Sequence, residues 1–113
     1  MRQKYNAKRT YSELCDRWFA SKAECRRGEE LRLLEMGGEI ANLQYQVKFV
    51  LSEKPKVTIA IDFAYLKDIR AIGQRLYDGT LVYEDTKGVL TRDFRTKLAW
   101  LEQSQGIKVL LTK

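Results

Sequence analysis

An aspartate and a lysine two residues apart end the run Leu81-Val82-Tyr83-Glu84-Asp85-Thr86-Lys87-Gly88. A β-strand repeats every two residues, so Asp85 and Lys87 should share one face, with Glu84 on the other beside Val82 and Thr86. A second strand-like run, Val57-Thr58-Ile59-Ala60-Ile61-Asp62-Phe63-Ala64-Tyr65, is interrupted by Asp62. A carboxylate inside a central strand carries a desolvation cost of several kcal/mol unless it is paired or metal-bound. Two acids and a lysine brought together on a sheet can hold a divalent cation and position a water, the equipment of metal-dependent phosphodiester hydrolysis. The plainer readings are a strand-end aspartate satisfied by a nearby turn or lysine, and a charged strand end that runs into the turn at Gly88.

The composition narrows that chemistry. The chain has no histidine, which removes Ser-His and Cys-His dyads, histidine general bases and the usual zinc sites. A catalytic metal here would be held by oxygen ligands, which favours magnesium or manganese. Cys15 and Cys25 lack CxxC spacing and read as reduced thiols of a cytoplasmic protein. With 113 residues the chain is expected to form one domain around one core. No apolar run approaches the roughly 18–20 residues of a membrane span. A net charge of +6, from 21 Lys and Arg against 15 Asp and Glu, favours a polyanionic partner.

The elements that must position these residues can be read in order. Residues 1–20 form a basic, aromatic arm or short hairpin, anchored by Trp18 and Phe19. A helix from about Ser21 to Met36 opens on a capping box, Ser21 with Glu24, and stops at Gly37-Gly38. Ala20, Ala23, Leu31 and Leu34 mark its apolar stripe, and Gly28 within it points to close backbone packing. Strands are expected at Leu43–Leu51, at Val57–Tyr65 (central, with Pro55 in the turn before it) and at Thr80–Lys87. A connector containing Gly73 and Asp78-Gly79 precedes the last of these, and residues 67–77 read as a loop or a short helix. A helix from about Arg92 to Gln105, capped by Thr91 and ended by Gly106, leads to a last strand, Ile107–Leu111. The order α-β-β-β-α-β predicts an α/β (α+β) fold with a mixed central sheet flanked by helices, and a right-handed final β-α-β crossover.

Glu24 is a third acid of interest. As the third residue after the cap Ser21 its side chain suits the capping box, and residue chemistry favours that role. The line Glu24-Gly28-Leu31 nevertheless borders the buried stripe, so the carboxylate could face the sheet.

The order helix-Glu, strand-Asp, strand-Asp-x-Lys, helix, strand resembles the PD-(D/E)XK nuclease superfamily. More closely it resembles a small phage-encoded branch of it, recorded as a domain of unknown function. The segments that carry the likeness are Phe19-Ala20-Ser21-Lys22-Ala23-Glu24, Leu43–Leu51, Ile61-Asp62-Phe63-Ala64-Tyr65 and Val82–Gly88, and the resemblance covers about Lys4 to Val109. Ile61 stands where the superfamily name has proline. The resemblance implies a restriction-endonuclease-like core in which Asp62 and Asp85, completed by Glu24, bind Mg2+, with Mn2+ able to substitute. Lys87 would orient the attacking water and steady the scissile phosphate, since neighbouring carboxylates favour its cationic form. Glu84 competes with Asp85 for the ligand position, and the two-residue spacing to Lys87 selects Asp85. Gln46 matches a glutamine often found near such sites.

Basic residues early in both helices (Lys22, Arg26, Arg27, Arg92, Arg95 and Lys97) sit where the helix dipole disfavours cations, so phosphate contacts are a reasonable role for them. With Gln46 they make up the expected DNA-binding set. The expectation is therefore a Mg2+-dependent DNA endonuclease, selective for branched or Holliday-junction DNA in phage recombination, acting in the host cytoplasm. A homodimer is implied by the resemblance alone. The alternatives are a non-catalytic nucleic-acid-binding module on the same fold and a small phage assembly or interaction protein.

Overall fold

A computed structural model describes residues 8–67, 70–72, 75–77, 79–87 and 90–112. The elements are β1 (Thr10–Ser12), β2 (Arg17–Phe19), α1 (Lys22–Met36), β3 (Ile40–Glu53), β4 (Lys56–Lys67), β5 (Arg70–Ile72), β6 (Arg75–Tyr77), β7 (Thr80–Thr86), α2 (Arg92–Gln105) and β8 (Val109–Thr112). The main sheet has the order β3-β4-β7-β8. The first two pairings are antiparallel and the last is parallel, which makes an α+β protein with a mixed sheet.

The expected α-β-β-β-α-β skeleton is present, with two hairpins added. β1 and β2 form one of them, so the N-terminal segment is a hairpin where it is described. β5 and β6 form the other, in the stretch read as loop or short helix. Gly73 and Asp78 of that connector lie outside the described residues, as does Gly88. β3 is longer than expected at both ends, and β8 begins at Val109 where Ile107 was expected.

Local signals set both helix starts. Ser21 Oγ accepts from the Glu24 N–H at 3.1 Å, and Thr91 Oγ1 accepts from the Phe94 N–H at 3.2 Å. Gly106, at φ 69°, closes α2 in the left-handed conformation that glycine adopts without a Cβ penalty.

β4 lies between β3 and β7, and its residues Ile61 to Tyr65 are all buried. Its odd positions do not serve a single helix. Phe63 and Tyr65 pack with Phe19, Cys25, Leu31 and Ile40, whereas Ile59 and Ile61 pack with Leu101 of α2. The hand-over between these two clusters falls at Asp62. Opposite it, Gln46 on β3 has φ 50°, a left-handed backbone uncommon for a residue with a Cβ.

The buried stripe of α1 is Glu24, Cys25, Gly28 and Leu31, rotated from the one the alanines suggest; Ala20 is exposed. Of the two expected anchors of the hairpin, only Phe19 enters the core. Trp18 is 54% exposed, with Tyr11 against its edge and the Arg9 guanidinium over its ring. Arg17 secures the hairpin in its place, stacked 4.3 Å from the Tyr45 ring centre. Cys15 and Cys25 are free thiols. No helix among the described residues is long and apolar enough to cross a membrane.

Gly28 is where α1 meets the hairpin. A Cβ there would stand 2.6 Å from Phe19 Cζ and 3.3 Å from Phe63 Cε1, and both rings are buried. Gly28→Ala gains about 1 kcal/mol of helix propensity but overfills a packed contact. A net loss of about 1–3 kcal/mol is expected in denaturant unfolding; unchanged or increased stability would show that the Phe19 ring is free to move.

Candidate functional site

β4 and β7 pair from Lys67↔Thr80 to Phe63↔Glu84, and there the ladder stops. The next residues in each direction are Asp62 and Asp85, and their carboxylates take over the task of the missing carbonyls. Asp85 Oδ2 accepts from the Asp62 N–H at 3.2 Å, and Asp62 Oδ2 accepts from the Thr86 N–H at 2.9 Å. Buried N–H groups must find acceptors, and here side chains supply them. Asp62 is 6% exposed and Asp85 fully buried. Beyond this point β7 is held by β8, through Asp85↔Leu111 and Thr86↔Thr112 and then by the Lys87 N–H donating to the Thr112 carbonyl at 3.0 Å.

Alternation along β7 decides which acid faces the cluster. Lys87 Nζ lies 3.3 Å from Asp85 Oδ1 and 4.5 Å from the ring centre of Phe94 on α2. Glu84 belongs to a different set of contacts: it is fully buried against Arg27 of α1 and the Tyr65 hydroxyl of β4. Asp85 Oδ1 has no hydrogen-bond donor. The lysine is close enough for charge attraction but not aligned for a hydrogen bond, so this buried oxygen keeps unused acceptor capacity.

Glu24 joins from α1. Only half of the expected capping box forms: Ser21 caps the Glu24 N–H, but the Glu24 carboxylate does not return to the cap. It accepts from Gln46 Nε2 at 3.1 Å, and the same amide nitrogen donates to Asp62 Oδ1 at 3.3 Å. Burial wins over the cap because Glu24 lies on the stripe of α1 that faces the sheet. The left-handed backbone of Gln46 lies at this same bridge.

The electrostatics reflect the crowding. Burial, then the charges of Asp62 and Asp85, push the Glu24 carboxyl up to about 7, opposed by Lys87 and the Gln46 hydrogen bond. Burial, then Asp62, push Asp85 up to about 6, opposed by Lys87 and the Asp62 N–H. One lysine does not neutralise three acids at close quarters.

A divalent cation fits the chemistry of this donor set: oxygen ligands, excess negative charge and a buried carboxylate oxygen paired with Lys87 but without an aligned hydrogen bond. Closure is a separate matter. Among the described residues no three acidic, cysteine or histidine side chains already converge closely enough to hold an ion. The Gln46 amide stands between Glu24 and Asp62.

The structure thus brings Glu24, Gln46, Asp62, Asp85 and Lys87 together. The basic residues are placed differently. Lys22, Arg26, Arg92 and Arg95 are exposed on the early turns of their helices. Lys97 pairs with Asp93 at 3.6 Å. Arg27, expected among the phosphate-contacting residues, has its guanidinium engaged by Glu84, which gives it a structural partner. Phe94 and Tyr65 enter the neighbourhood of the site without a sequence signal, since each reads as an ordinary apolar position.

The fold and the cluster together define a small α+β protein with a buried carboxylate–lysine site at the edge of a paired segment of its sheet. The chain belongs to the family described as Protein of unknown function (DUF1064), whose model matches residues 2–108. Comparison with curated proteins and with solved structures finds no match.

The raised carboxyls carry a consequence for stability without metal. An acid whose folded pKa lies above its unfolded value binds extra proton in the folded state, so stability falls as pH rises between the two values. The ordinary values are 4.5 for Glu24 and 3.8 for Asp85, and the folded values are about 7 and about 6. In chelator, unfolding free energy should drop by a few kcal/mol from pH 4.5 to pH 7.5. Glu24→Gln should flatten much of that slope in pH-dependent denaturation; a wild-type curve that rises over this interval would contradict the arrangement.

Proposed function

We propose that this protein is a metal-dependent DNA endonuclease of the PD-(D/E)XK type, in which Asp62, Asp85 and Glu24 hold Mg2+ and Lys87 serves the scissile phosphate. One observation carries the reading. Asp62 and Asp85 are buried side by side where β4 and β7 part, with Lys87 at 3.3 Å from an Asp85 oxygen that has no hydrogen-bond donor. Lys87 makes an ion pair with that oxygen but no aligned hydrogen bond, so acceptor capacity remains there for a cation.

When bound at such a site, a divalent cation neutralises charge on the phosphate and lowers the pKa of a ligated water. The remaining work falls to the chain. Asp62 and Asp85 are fixed by each other's strands through the Asp62 and Thr86 amides, so their Oδ1 atoms have defined directions. Lys87 is steadied by the Phe94 ring and placed to orient a water or contact a phosphate oxygen. Gln46 donates to the Glu24 and Asp62 carboxylates and holds the two acids within one hydrogen-bonded bridge. Arg26, Lys22, Arg92 and Arg95, exposed and cationic, offer phosphate contacts along the substrate. A branched DNA junction is the substrate class that the resemblance implies, and symmetric cleavage of a junction would call for a homodimer.

A second reading, a nucleic-acid-binding module without catalysis, is favoured by the Gln46 amide, which donates to both Glu24 and Asp62 and stands between them. Incubation with four-way-junction, flap and linear DNA, with Mg2+ and with chelator, separates the two. Cleavage that requires Mg2+ is expected, lowered about 10^3-fold or more by Asp62→Asn or Asp85→Asn and about 10^2-fold by Lys87→Ala. DNA binding that is salt-sensitive, with no cleavage of any substrate by the wild type, would establish the binding module.

A further inference from the structure

The three segments that carry the acids are tied together a second time, by other side chains. Glu84 accepts from Arg27 Nε, from Arg27 Nη2 at 3.2 Å and from the Tyr65 hydroxyl at 2.6 Å. Arg27 follows Glu24 by one helical turn on α1. Tyr65 follows Asp62 on β4, and Glu84 directly precedes Asp85 on β7. Each partner is therefore joined to one cluster acid by a short piece of regular backbone. We infer that Arg27, Glu84 and Tyr65 are positioning residues that set the placement of Glu24 against the Asp62–Asp85 pair, and so the affinity of the cluster for a divalent cation; this rests on the metal-binding reading above.

The physical case begins with what the cluster lacks. Its acids repel one another, and the bridge between Glu24 and Asp62 consists of two hydrogen bonds from one amide nitrogen, at 3.1 and 3.3 Å. So loose a bridge does not hold Glu24 in place against the strand-fixed Asp62–Asp85 pair, and its placement must be imposed from outside. Packing alone would keep α1 against the sheet but resists sliding and rotation poorly, because apolar contact has no direction. A forked guanidinium on a buried carboxylate has both direction and spacing.

Nor is stability a sufficient reason for the ion pair. Glu84 is fully buried, and a buried pair contributes little net stability compared with apolar groups of the same volume. The choice of a charged contact is explained by orientation. Tyr65 adds the third element: its hydroxyl binds the same Oε2 that Arg27 Nη2 reaches, which references β4 to both α1 and β7.

The test measures Mn2+ affinity by the loss of the free-ion electron paramagnetic resonance signal, which needs no catalysis, together with thermal stability in chelator. Wild type, Glu84→Gln, Arg27→Lys and Tyr65→Phe are compared. Glu84→Gln and Arg27→Lys are expected to weaken Mn2+ binding by about 10- to 100-fold with native secondary structure retained. Tyr65→Phe, which loses one hydrogen bond, should weaken it less and in the same direction. If Glu84→Gln fails to fold, the charge-retaining Arg27→Lys and the ring-retaining Tyr65→Phe decide. Folded variants that lose thermal stability but bind Mn2+ as tightly as wild type would overturn the inference and leave the metal site standing. No Mn2+ binding by the wild type would remove the site, and the positioning role with it.

Discussion

The structure depends on how β4 and β7 separate. Two antiparallel strands that stop pairing leave amide groups in a dry interior, and an unpaired buried N–H is costly. Here the strands part at Phe63↔Glu84, and the next residue on each side is an aspartate whose carboxylate accepts a freed amide. The price of that solution is two buried charges side by side. Nearly everything else near them answers to it: Lys87 on Asp85, Gln46 between Asp62 and Glu24, and Phe94 beneath the lysine.

The protein is therefore built on two charged groupings of different character. Glu84 with Arg27 and Tyr65 is balanced and richly hydrogen-bonded, which suits a buried contact between a helix and a sheet. The Glu24–Asp62–Asp85 group is underneutralised, and its raised carboxyls show the cost of keeping it charged. Neighbouring residues of one strand, Glu84 and Asp85, serve the two groupings, so that alternation along β7 keeps them apart. Such local conflict in an otherwise consistent fold is what the proposed metal-binding role would account for.

Much of this was legible before any coordinates. The caps at Ser21 and Thr91 and the stop at Gly106 are interactions within four residues, so their signals survive in any tertiary context. β4 showed itself as a central strand because its run is apolar on both faces. Harder to read were features in which one residue had two possible neighbourhoods. Trp18 and Phe19 look equivalent in a list of aromatic residues, yet only Phe19 points at the gap that Gly28 leaves. Ala20 and Ala23 suggested a stripe on α1, but alanine is indifferent to burial, and the true stripe passes through Glu24. Residues 67–77 carried too little periodicity to separate a loop from a short helix, and the pairing of β5 with β6 gave no signal of its own.

The sequence by itself determined which chemical groups exist and what they exclude: no histidine, a surplus of cations, and acids set into apolar runs with a lysine two residues after one of them. It also determined that Asp85 and Lys87 share a side, because strand alternation is a property of the backbone. Only the tertiary structure decided that Glu24 leaves its cap for the sheet, that Gln46 lies between two acids, and that Arg27 belongs to Glu84. The physical reason is the same in each case. Those choices turn on desolvation and pairing between residues far apart in the chain, and such energies have no value until packing sets the distances.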